Sequence, residues 1–260
     1  MSVSQREYLD FAMDAAWQAG QLTLGHFQTG VAVERKADQT PVTVADRGAE
    51  ELLRGLIRDR FPDHAVLGEE LGSAETDSSH RWILDPIDGT QAFVHGVPLY
   101  GVLVGLEISG EMVVGVCYLP ALREMLGAAT GEGCRWNGRR AHVSAVRRLD
   151  QALLAYTDAA SLHDHPSGVW SRLQAATRLQ RGWSDCYAYC LVATGRADLA
   201  LDAVMSPWDC AALVPILREA GGTFTDWSGH TRIDGGQAVA TNGVLFEAVM
   251  QVMAGGSAES

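Results

Sequence analysis

Apolar residues recur at helical spacing from Gln5 to Phe27, where Leu9, Ala12, Met13, Ala16 and Leu24 define one face. The same spacing predicts a helix from Thr43 to about Arg60, with Leu52, Leu53, Leu56 and Ile57 inward and Pro62 ending it. Between these helices, Val31 to Glu34 reads as a short strand and Lys36 to Pro41 as a polar loop. Ala65 to Gly68 is a strand leading into Glu69-Glu70. Beyond Leu99 the pattern becomes β-rich. Val102-Leu103-Val104, Met112 to Tyr118 and Glu124 to Leu126, broken by Ser109-Gly110 and Leu119-Pro120, predict an antiparallel meander. Asn137-Gly138 is a hairpin signal.

A second half starts near Leu149, giving regions 1–148 and 149–260 packed as one rigid unit of helices layered on sheets. Strands are expected at Leu153–Tyr156, Ala197–Asp202, Thr223–Thr225 and Ala238–Ala240. Helices are expected at Ser184–Thr194, at Pro207–Ala220, closed by Gly221-Gly222, and from Val244 onward. The Gly255-Gly256-Ser257 tail reads as flexible, and there are no internal repeats or low-complexity linkers.

Composition narrows the class. The chain has 260 residues, 47% of them hydrophobic, enough to bury a large core. Its net charge of −12 argues against nucleic acid as a partner, since phosphate-backbone binding needs a basic face. Five cysteines, an odd number with no CxxC pair, argue against a disulfide framework and for a reducing cytoplasm. Cys186 and Cys190 share a helix face and read as packing. Met1 to Asp14 has no signal-peptide profile, and no apolar run is long enough to span a membrane.

The chemistry concentrates in Trp82-Ile83-Leu84-Asp85-Pro86-Ile87-Asp88-Gly89-Thr90. An apolar strand there ends in two acids and a tight turn. Carboxylates among buried apolar residues are costly unless paired or metal-bound, and Mg²⁺ takes one or two carboxylates plus phosphate oxygens. Gly89 lets the backbone approach closely, so the Gly89 and Thr90 amides can face a phosphate at the next helix start. Of Glu69 and Glu70, Glu69 sits nearer its strand and is the better ligand. Thr43-x-x-Asp46 and Ser206-Pro207-Trp208-Asp209 both read locally as capping boxes. A capping acid can also face a cation on its other side. Asp202 reads as a strand-terminal acid and Asp185 as a favourable charge at a helix start. His163-Asp164-His165 reads as a solvated loop. His95 is either structural or site-facing.

Gly68-Glu69-Glu70, Asp85 to Thr90 and Trp208-Asp209 together resemble the inositol monophosphatase-like family of Mg²⁺-dependent, lithium-sensitive phosphatases. Pro41-Val42-Thr43-x-x-Asp46 upstream and Glu219-Ala220-Gly221-Gly222 downstream extend the resemblance over nearly the whole chain. It implies a layered αβαβα sandwich and a homodimer. It implies two or three Mg²⁺ per site, held by Glu69, Asp85, the Ile87 carbonyl, Asp88 and Asp209. Asp46 and Thr90 would orient and deprotonate an attacking water. Asp88, Gly89, Thr90, Asp185, Asp202 and Asp209 would contact the phosphate monoester, with Asp202 binding a substrate hydroxyl.

Arg181 to Tyr189, with Asp185-Cys186-Tyr187, is similar to the histidinol-phosphate phosphatase branch of histidine biosynthesis. Trp183 and Ser184 stand where that branch often has two glycines. A carboxylate at 185 suits a cationic leaving group. The alternatives are an inositol-1-phosphatase or broad sugar or nucleotide phosphatase, and a catalytically silent binding protein on the same scaffold.

Overall fold

A computed structural model describes residues 3–35, 41–74 and 76–255. Helix α1 spans Gln5–His26, opened by a complete Ser4/Glu7 capping box. Strands β1 (Val33–Arg35) and β2 (Pro41–Thr43) pair antiparallel before α2 (Val44–Arg60). Then come β3 (Ala65–Gly68), β4 (Gly72–Ala74), β5 (His80–Asp88) and the short α3 (Thr90–Val94). The meander follows as β6 (Gly101–Ile108), β7 (Glu111–Leu119), β8 (Glu124–Ala129), β9 (Gly133–Trp136) and β10 (Arg139–Arg140). The rest comprises β11 (Leu153–Tyr156), α4 (Ala159–Asp164), α5 (Val169–Ala176), β12 (Leu179–Arg181), α6 (Asp185–Ala193) and β13 (Leu199–Asp202). It closes with α7 (Pro207–Ala211), α8 (Leu213–Glu219), β14 (Thr223–Thr225), β15 (Ala238–Thr241) and α9 (Phe246–Met253).

Eight strands form one sheet in the order β10-β9-β8-β7-β6-β5-β3-β4, and five form another, β12-β11-β13-β15-β14. Strand alternation assigns the layers. Trp82, Leu84, Val102, Val104 and Leu106 pack with α1 and α2, whereas Ile83 and Leu103 face α6, α7 and α8. In the second sheet Ala200 faces those same central helices, while Leu199 and Leu201 face α4, α5 and α9. The result is a layered αβαβα sandwich whose central helical layer is shared by both sheets. Close approach there depends on Gly115, where a Cβ would overlap the Ala212 carbonyl, and on Gly105 against Ala211. Among the described residues, no helix is long and apolar enough to cross a membrane.

The structure differs from the sequence expectations in identifiable places. The helix expected over Pro207–Ala220 is two helices broken at Ala212. Pro215 has no N–H to give the Ala211 carbonyl, so the ladder fails there. His163 and Asp164 belong to α4 rather than a loop, because Asp158 caps the Ala160 and Ser161 amides. The first short strand is shifted to Val33–Arg35, and the strand before Asp202 starts only at Leu199. The final helix begins at Phe246 rather than Val244. The loop expected at Lys36–Pro41 lies outside the described residues except for Pro41, which is in β2, and so does the tail beyond Gly255. All five cysteines are free and buried, and Cys190 Sγ of α6 lies 3.4 Å from Cys117 Sγ of β7.

Candidate active site

Parallel pairing of β3 and β5 sets Gly68 beside Leu84, so both strands end together. The Glu69 amide donates to the Leu84 carbonyl at 3.2 Å, placing Glu69 next to Asp85. Pro86 then interrupts the ladder. Asp85 pairs with Leu103 but Asp88 with Gly101, so β5 carries one extra residue at a bulge. Residues three apart in a regular strand face opposite ways. The inserted residue brings Asp85 and Asp88 to the same side. Gly89 follows with φ of 84°, a left-handed turn suited to glycine, and opens α3.

That side is a cavity of about 140 Å³, lined by Glu69, Asp85, Ile87, Asp88, Gly89 and Thr90 on one wall. Thr157, Asp185, Cys186, Tyr189, Asp202, Val204, Met205 and Asp209 line the rest. Its size suits a phosphoryl group and hydrated ions better than a drug-sized ligand.

Backbone amides fix several of these acids. Asp85 Oδ1 accepts from the Ile87 amide at 3.0 Å, Asp88 Oδ2 from the Cys186 amide at 2.7 Å, and Asp209 Oδ2 from the Ser206 amide at 2.7 Å. The Thr90 hydroxyl donates to the Ile87 carbonyl at 3.0 Å. Asp202 accepts from the Thr157 amide at 3.0 Å and the Tyr189 hydroxyl at 2.9 Å. The Asp185 amide donates to Thr157 Oγ1 at 3.0 Å. Trp183 and Asp185 have φ of 61° and 40°, so this turn holds two non-glycine residues in the left-handed region. The turn sets the Asp185 carboxylate over Gly89, where a Cβ would lie 3.1 Å from Asp185 Oδ2.

Crowding perturbs these acids. Burial, then the Glu69, Asp88 and Asp209 carboxylates, hold Asp85 well above the usual carboxylate range. Burial, then Asp185 and Asp209, do the same to Asp88. Asp185 is pushed up to about 7 by burial and then by Asp202 and Asp209. Asp202 reaches about 7 through burial, against the lowering bonds from Thr157 and Tyr189. No lysine or arginine is among the described lining residues.

A donor set of carboxylates and a carbonyl, all oxygen, fits a hard divalent cation. Among the described residues, no three acidic, histidine or cysteine side chains already converge as a finished cage. Mg²⁺ does not demand one, because it keeps several waters and shares substrate oxygens.

Residues 4–257 of the chain match the inositol monophosphatase family. The chain belongs to that family. It is 45% identical over 240 residues to a histidinol-phosphatase of Chlorobaculum parvum, covering 91% of this chain and 93% of that protein. An inositol monophosphatase 3 of Solanum lycopersicum is 34% identical over 262 residues, covering 96% and 97%. An IMPase structure from Thermotoga maritima superposes with a TM-score of 0.87 at 31% identity, covering 96% and 97%.

Within this family member, Glu69, Asp85, Ile87, Asp88, Gly89, Thr90, Asp185, Asp202 and Asp209 all meet at the cavity. Asp46 is buried in the first turn of α2, where its Oδ2 accepts from the Thr43 amide and hydroxyl, and it is not among the lining residues. The His163-Asp164-His165 segment does not line the cavity, and neither does His95. His95 bonds the Gln91 carbonyl at 2.8 Å and packs edge-on to exposed Trp183.

Sequence reasoning missed Thr157, Tyr189 and Glu50. Thr157 directly follows a strand end. Tyr189 lies one helical turn from Asp185, on the same face. Glu50 stands one turn from Asp46 and is fully buried, which its local sequence does not signal.

Proposed function

We propose that this phosphatase-family protein hydrolyses L-histidinol phosphate to L-histidinol and phosphate, with Mg²⁺ among Glu69, Asp85, Asp88 and Asp209. The observation that carries the reading is one cavity with two kinds of acid. Glu69, Asp85, Asp88 and Asp209, with the Ile87 carbonyl, would take the cations and the phosphoryl group. Asp185 and Asp202, both raised to about 7, would face the leaving group.

Glu69, Asp85, the Ile87 carbonyl, Asp88 and Asp209 would hold the ions. When bound, Mg²⁺ supplies Lewis-acid chemistry, acidifying a water and neutralising phosphoryl charge. The Thr90 hydroxyl commits its proton to the Ile87 carbonyl and so offers a lone pair to orient the attacking water. The family resemblance assigns Asp46, together with Thr90, to orienting and deprotonating that water. Amides at the start of α3, reached by the left-handed turn at Gly89, suit the phosphoryl oxygens.

Histidinol carries an ammonium and an imidazole. A cation beside Asp185 would restore that carboxylate to its ionised form, against the burial and the neighbouring carboxylates that lift it to about 7. Inositol offers no such charge. The 45% identity to a histidinol-phosphatase supports the same choice, while the plant inositol monophosphatase 3 supports inositol phosphate as the second reading.

Phosphate release from L-histidinol phosphate, inositol 1-phosphate, fructose 1,6-bisphosphate and 3′-phosphoadenosine 5′-phosphate, with Mg²⁺ or with chelator, tests both. The highest kcat/KM is expected on histidinol phosphate, with release abolished by chelator. A preference for inositol 1-phosphate would overturn the substrate. Full activity in chelator would overturn the metal.

A further inference from the structure

Glu50 is a carboxylate with no solvent exposure, on the face of α2 that packs against the end of β3. Its Oε2 accepts from the Glu70 amide at 2.7 Å and its Oε1 from the Leu71 amide at 3.2 Å. Arg54, one turn on, donates to Oε1 at 2.7 Å and also to the Gly72 carbonyl. The pair thus grips the turn from Glu70 to Gly72 at both its amide and carbonyl ends. Gly68 completes the arrangement, since a Cβ there would overlap the Glu50 carboxylate. Glu69 lies between the gripped amides and the end of β3.

We propose that Glu50, assisted by Arg54, is a positioning residue that fixes the Gly68–Gly72 turn so that Glu69 presents its carboxylate to the cation site. The proposal rests on the reading of Glu69 as a metal ligand. A buried carboxylate on two consecutive amides holds a turn more rigidly than water does, because each bond is charge-assisted. Outer partners of metal ligands typically control affinity by roughly 10–100-fold.

Electrostatics alone gives a different forecast, and Arg54 separates the two. Arg54→Met removes a positive charge near the acids. A pure charge effect would tighten cation binding. Loss of positioning would weaken it. Glu50→Gln keeps the shape but turns a donor toward one of the two amides.

Calorimetric titration of chelator-treated protein with Mg²⁺ should give a dissociation constant raised about 10-fold or more in Glu50→Gln, and raised also in Arg54→Met. Amide hydrogen exchange at Glu70 and Leu71 should accelerate in both variants, while kcat at saturating Mg²⁺ stays near wild type. If Glu50→Gln fails to fold, the sign of the Arg54→Met shift decides. Tighter or unchanged Mg²⁺ binding in Arg54→Met overturns the proposal alone. A wild-type protein that binds no Mg²⁺ overturns the metal reading and the proposal with it.

Discussion

The wall of the cavity built by the eight-stranded sheet and the wall built around α6 and β13 both present carboxylates, but hold them by different means. On the first, Asp85 and Asp88 each accept a backbone amide, and Asp209 is fixed likewise from α7. Amides cannot rotate away, so these oxygens are set by backbone, Asp88 by Cys186 of α6 and Asp209 by Ser206 before α7. On the second, Asp202 accepts both the Thr157 amide and the Tyr189 hydroxyl. The Asp185 carboxylate accepts no hydrogen bond among the described residues, and its place comes from a left-handed backbone anchored on Thr157. A rigid wall suits chemistry that every substrate shares. An adaptable wall suits the part of the substrate that differs.

Asp88→Asn is the hardest test of the rigid wall. It keeps an acceptor for the Cys186 amide but removes a charge, and turnover should fall by at least about 100-fold, more than an outer-shell change typically costs. A folded variant with near-normal phosphate release would remove the chemistry from that wall. Asp185→Ala probes the adaptable wall. Losing a charge-assisted contact worth roughly 1.5–3 kcal/mol should lower kcat/KM for histidinol phosphate about 10- to 100-fold. Inositol 1-phosphate should be nearly unaffected, and equal losses on both substrates would erase the distinction.

Gly115→Ala tests how the walls are joined. Its new methyl meets the Ala212 carbonyl in the helical layer shared by both sheets, and overpacking of this kind costs about 1–3 kcal/mol. The urea midpoint should drop accordingly, and an unchanged midpoint would mean the seam yields freely.

The smallest effect concerns pH. The folded pKa of Asp202, about 7, lies above the ordinary aspartate value, so its contribution is fully present below about pH 4. It is lost as pH rises through about 7. Metal-free protein should therefore melt at lower temperature at pH 8 than at pH 5, by about 2–4 °C for each kcal/mol lost. Asp202→Asn should flatten that slope, and a slope unchanged by the substitution would assign the dependence to other acids.

Much of this was legible before the structure. Strand and helix periods located most elements, and the Asp85-to-Thr90 run pointed to the site. What stayed hidden depends on contacts distant in sequence. Nothing local in Glu50 distinguishes it from a solvated helix glutamate, since its partners, Glu70 and Leu71, lie twenty residues on. Thr157 and Tyr189 gain meaning only once β11 and β13 lie side by side. The break at Ala212 was readable from Pro215, four residues before the helix end. The capping boxes of Asp46 and Asp209 were both foreseen and both form.

The extra residue at the β5 bulge has a consequence for how such a site can change over time. Facing direction along a strand has only two values, so the bulge acts as a parity bit. Losing Pro86 or gaining a neighbour would not weaken the acid pair by degrees. It would send Asp88 to the opposite face, the one covered by α1 and α2, in a single step. Substitutions can therefore drift on the α6 side and retune what is hydrolysed, while the spacing from Asp85 to Asp88 admits no intermediate lengths.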